Sequence, residues 1–60
     1  MIRLTEETPL HVLNELKQGD LVTDTFSKTG LIATVTMTDD GLYRIYEVTL
    51  VTGRVITIKK

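Results

Sequence analysis

The sequence predicts a mainly β fold, a small antiparallel barrel or strongly bent meander, with one short α-helix near the amino end. Three observations carry this reading. From Leu31 to Ile58 the chain runs in alternating apolar and polar stretches, broken by two short glycine-bearing turns at Asp39-Asp40-Gly41 and Thr52-Gly53. That period of two is the mark of half-buried strands joined by hairpins. Threonine is concentrated in the same half, where a branched Cβ suits a pleated surface. One stretch near the amino end instead repeats at helical spacing, between a proline and a glycine.

Taken in order, residues 1–4 alternate, with Ile2 and Leu4 on one side, and predict a short edge strand. A helix is predicted over residues 9–18. Thr8 is the expected N-cap and Pro9 the first helical residue, where no amide is needed. Glu6 and Glu7 flank the positive end of the helix dipole, Lys17 lies near the negative end, and Gly19 is placed to close it. Leu10, Val12, Leu13 and Leu16 form the apolar stripe, opposite His11, Asn14, Glu15 and Gln18. A helix this short does not persist alone in water, so it must pack on the strands or on another chain.

Strands are predicted at residues 20–26, 31–38, 42–51 and 54–58. In the first, Val22 and Phe26 share a face. Ser27-Lys28-Thr29-Gly30 is read as a turn, with Gly30 supplying a permissive backbone. In the second, Leu31, Ala33, Val35 and Met37 share one face, and Ile32, Thr34, Thr36 and Thr38 the other. The third is apolar on both faces, with Leu42, Tyr46, Val48 and Leu50 on one and Tyr43, Ile45 and Val51 on the other, which predicts a central or bent strand. Ile56 and Ile58 face inward in the last, and Lys59 and Lys60 leave into solvent.

Sixty residues make a single domain, 1–60, with a marginal core. Small scaffolds are usually stapled by disulfides, a metal or a partner chain. With no cysteine and one histidine, disulfides and a zinc site are excluded, so no cofactor or metal is expected. Tight packing or self-association remains. Net charge is −1 with no basic block, which disfavours nucleic acid. No apolar run is long enough for a membrane span or a signal peptide, and the default location is cytoplasmic.

The segment Gly19 to Ile58 resembles an SH3-like small barrel, and within that group a KOW-type module. Gly19-Asp20-Leu21-Val22 is similar to that family's entry to its first strand. In Gly30-Leu31-Ile32-Ala33-Thr34-Val35 a glycine is followed by apolar residues two and five positions later, and Gly41 stands where the later turn glycine falls. The loops carry fewer basic residues than KOW modules do, and the amino-terminal helix lies outside the pattern. The resemblance implies binding of RNA, ribosomes, RNA polymerase or other proteins, a range that fold alone does not narrow.

No residues form a catalytic set. His11 and Glu15 lie at i and i+4 on the polar helix face, an ordinary solvated pair. Asp39 and Asp40 are what a hairpin loop requires. Thr34, Thr36 and Thr38, extended by Thr23 and Thr25, make a solvent-facing row of good β-formers. So small a domain is also expected to have little room for a pocket, and the chain is not expected to be an enzyme. The expected function is a non-catalytic protein-interaction module, self-associating or acting as a small accessory or inhibitory factor. The surface proposed for it is Lys28, Tyr43, Arg44, Arg54 and Lys59. The alternative is a KOW-like nucleic-acid binder in transcription or translation, with Lys28, Arg44, Arg54, Lys59 and Lys60 converging at one end of the barrel.

Overall fold

The computed structural model describes every residue except Ser27. It is mainly β with one short helix: β1 (Ile2–Arg3), α1 (Leu10–Asn14), β2 (Leu21–Thr23), β3 (Thr29–Asp39), β4 (Arg44–Leu50) and β5 (Val55–Lys59). The strands form one sheet in the order β1-β2-β3-β4-β5. β3 serves both halves of it: its first residues pair with β2 and the rest with β4. The region expected to be a meander is one, with β4 antiparallel to both β3 and β5. The sheet is not wholly antiparallel, however. β1 lies parallel to β2, matching Ile2 with Val22 and Arg3 with Thr23. The helical crossover between β1 and β2 returns the chain to the same end, which permits the parallel pairing. Among the described residues no pairing joins β1 to β5, so the sheet stays open along that seam.

The core is built from one face of every later strand plus the helix: Leu4, Leu13, Val22, Ile32, Tyr46, Val48, Leu50, Ile56 and Ile58. Alternation along β4 and β5 places Tyr46, Val48, Leu50, Ile56 and Ile58 inward, as the pattern demands. The accessible surface is 4051 Å², close to the roughly 3950 Å² expected of a folded chain of this mass. The fold is therefore as compact as a free-standing monomer of its size.

The helix is half the predicted length. Pro9 occupies the N-cap, without a side-chain cap bond, and Glu15 the C-cap. The Thr8 hydroxyl instead turns back, accepting the Thr5 N–H at 2.9 Å and donating to the Arg3 carbonyl at 3.3 Å. Leu13 is buried and Leu16 packs against the core, while Leu10 is exposed, so the stripe engages only through its later half. The Tyr46 hydroxyl donates to Asn14 Oδ1 at 2.9 Å and ties the helix to β4. Gly19 has φ +92°, but it closes a turn over Lys17 to Asp20 rather than the helix. Its amide donates to the Ile32 carbonyl at 2.9 Å, stitching the connection to β3.

β2 stops at Thr23, and Phe26 does not share the inward face of Val22; it lies in the following turn, 81% exposed. The turn expected at residues 27–30 falls earlier, with Ser27 outside the described residues and Thr29 and Gly30 already in β3. Gly30 does not take a positive φ, so the permissive backbone expected of it is not used. A Cβ on it would lie 3.4 Å from Leu50 Cδ1, on the face where Leu50 fills the core. β3 also carries a register shift: Ile32 opposes Leu50 and Thr34 opposes Thr49, leaving Ala33 as the extra residue of a bulge. The bulge switches faces, so Ile32 is fully buried and Leu31 exposed ahead of it, while beyond it Val35 packs against the core; Met37 shares the Val35 face but is exposed. At the far end Leu42 belongs to the loop, 84% exposed, and not to β4.

Candidate interaction surface

The expected surface residues occupy two ends of the sheet. Lys28 reaches β5, where its Nζ donates to the Val55 carbonyl at 3.4 Å, next to Arg54 at the β4–β5 turn. Tyr43, Arg44, Lys59 and Lys60 gather at the other end. Arg54 and Lys59 are five residues apart along one strand, about 17 Å at 3.4 Å per residue. The convergence of basic groups at one end is thus corrected, because an extended strand separates them. Each group in the second cluster has a partner. Arg44 Nε lies 3.6 Å from Asp39 Oδ2. Lys59 Nζ sits 4.0 Å from the centroid of the Tyr43 ring and covers its face. Lys60 Nζ donates to the Glu6 carbonyl.

The loop beside this cluster is fixed by its aspartates. Asp39 accepts from the Gly41 N–H at 2.9 Å, and Asp40 Oδ1 accepts from Leu42 and Tyr43 at 2.9 and 2.8 Å. The Tyr43 and Leu42 amides hold the Asp40 carboxyl below its ordinary range, with a smaller contribution from the Lys59 charge.

Apolar exposure is distributed differently. Leu21 and Leu31 are register partners on the outer face, and the Val51 amide donates to the Leu31 carbonyl at 2.9 Å. The three side chains form a stripe across β2, β3 and the residue that follows β4, all of them exposed. The sequence pattern assigned Leu31 to a buried face, and the bulge is why it is not.

A cleft of about 510 Å³ occupies the open seam between β1 and β5, larger than expected of so small a domain. Its walls are the segment after β1, through Leu4, Glu6 and Glu7, and the β2–β3 turn, through Asp24 and Phe26; its floor is β5. Asp24 sets the turn. Its buried carboxylate accepts from the Phe26 and Lys28 amides at 2.9 and 2.8 Å, and its own amide donates to the Lys28 carbonyl. Sequence reasoning placed Asp24 mid-strand and missed this; the signal was an aspartate two and four residues ahead of turn amides. His11 lies on the helix and Glu15 at its C-cap, neither of them in the cleft lining.

No family model, curated protein or solved structure matches this chain. No helix among the described residues is long and apolar enough to cross a membrane.

Proposed function

We propose that this chain is a non-catalytic protein-interaction module, self-associating or acting as a small accessory or inhibitory factor. One observation supports the reading above the others. Among the described residues ten large apolar side chains are exposed, against nine in the core, in a fold whose total surface is ordinary for its mass. Scattered apolar residues are normal on any surface, but here three of them, Leu21, Leu31 and Val51, adjoin across neighbouring strands, and a contiguous apolar patch marks an interaction site. The alternative, nucleic-acid binding, is less well supported, because the basic groups are split between two ends and most are already engaged.

Sedimentation velocity across the micromolar range tests this. The predicted mass rises above 6.8 kDa with concentration, and Leu31→Thr shifts it back toward the monomer without loss of stability. A monomer at all concentrations removes self-association. Binding of a labelled oligonucleotide that weakens steeply with salt would favour the alternative.

A further inference from the structure

We propose that the open edge of β5 is a strand-addition site, taking an extended segment of a partner protein in which apolar and basic side chains alternate. The inference rests on the interaction-module reading and assigns it a second surface, separate from the Leu21–Leu31–Val51 stripe.

The backbone defines the site. Arg44 and Lys60 exchange both amide–carbonyl bonds, and the Leu50 amide donates to the Arg54 carbonyl. Hydrogen-bonded pairs alternate along an antiparallel ladder, so Arg54, Ile56, Ile58 and Lys60 face β4 with their backbone groups. Those of Val55, Thr57 and Lys59 point away from β4, toward the seam. The Val55 carbonyl takes the Lys28 ammonium. Among the described residues the amide and carbonyl of Thr57 have no protein partner. A bare edge is a template for another strand.

The opposite edge of the sheet is treated differently. The outward carbonyl of Arg3 is capped by the Thr8 hydroxyl, which also accepts from Thr5. One edge is closed by the chain's own side chains. Among the described residues the other is crossed by two lysines, Lys28 to Val55 at one end and Lys60 to Glu6 at the other.

The cleft chemistry selects the occupant. Leu4, Phe26 and Val55 supply apolar lining, and three carboxylates, Glu6, Glu7 and Asp24, outnumber the two ammonium groups at the cleft, Lys28 in its lining and Lys60 at the Glu6 carbonyl. Asp24 is occupied with backbone amides, whereas Glu6 and Glu7 are exposed and, among the described residues, form no ion pair. An added strand that alternates apolar with basic residues would place one set against the lining and the other within reach of these glutamates.

The test uses the full chain and two capped hexapeptides, one alternating lysine with valine and one alternating glutamate with valine, followed by amide hydrogen exchange. The lysine–valine peptide is expected to slow exchange at Thr57 and Lys59 at least tenfold, and the glutamate–valine peptide to leave both unchanged. Thr57→Pro, which removes an outward donor at an edge position, abolishes the protection, and the Glu6→Gln, Glu7→Gln double variant weakens it while leaving the fold intact. Equal protection by both peptides, protection confined to Leu21 and Leu31, or no protection at saturating peptide overturns the proposal. Protection at Thr57 in a chain that sediments as a monomer would remove self-association alone and leave this site standing.

Discussion

Replacing Asp24 tests how the β2–β3 turn, and with it one wall of the cleft, is held. Asp24→Ala deletes an acceptor that takes two backbone amides at 2.9 and 2.8 Å. Hydrogen bonds to a charged group contribute about 1.5–3 kcal/mol each where the donors stay dry. Here the donors belong to Phe26, which is exposed, and Lys28, which is half-buried, so water recovers part of the loss. The expected cost is about 2–3 kcal/mol, against a total of roughly 3–9 kcal/mol for a chain of this length. Asp24→Asn keeps a neutral acceptor at Oδ1 and costs about 1 kcal/mol, since neutral bonds are about half as strong. Urea titration separates the two variants at unchanged m, and thermal melting shows a fall of about 16–24 °C for the alanine form. Equal losses in both, or an alanine variant within about 0.5 kcal/mol of the parent, would refute the assignment of turn stability to this carboxylate.

Two further outcomes follow from the fold. Gly30→Ala is nearly neutral, because its Cβ meets Leu50 at ordinary contact distance, whereas Gly30→Val drives a methyl into Leu50 and costs about 1–3 kcal/mol by denaturant titration; equal stabilities would show that Leu50 does not cover Gly30. The Asp40 carboxyl titrates below its ordinary value of 3.8, so the ordering it gives the Asp39–Tyr43 loop is complete above that value and is lost as pH falls through the lower folded value. Amide shifts of Leu42 and Tyr43 that titrated above pH 3.8 would contradict this.

The carboxy-terminal hairpin was legible because one sheet face there is simply core: Tyr46, Val48, Leu50, Ile56 and Ile58 alternate without interruption. β3 was legible as a strand but not in its faces, since one extra residue, Ala33, inverts every assignment on one side of it and leaves no mark in composition. The helix was overextended because Leu16 continues the apolar period; it packs on the core from the turn beyond the helix. The parallel pairing of β1 was out of reach, as two alternating residues carry no direction. The candidate surfaces were the least legible. Lys28 and Arg54 are far apart in sequence yet flank Val55, while Arg54 and Lys59 are close in sequence and stand at opposite ends of a strand. The open edge of β5 follows from which strand ends the sheet, a property of topology rather than of any residue.

The measurement that bears most directly on this account is amide hydrogen exchange along β5 in the dilute, unliganded chain. Alternate protection is predicted, with Ile56, Ile58 and Lys60 slow and Val55, Thr57 and Lys59 fast. Uniformly slow exchange from Val55 to Lys60 would mean that the sheet is closed at this edge, and the cleft and its proposed strand-addition site would not exist.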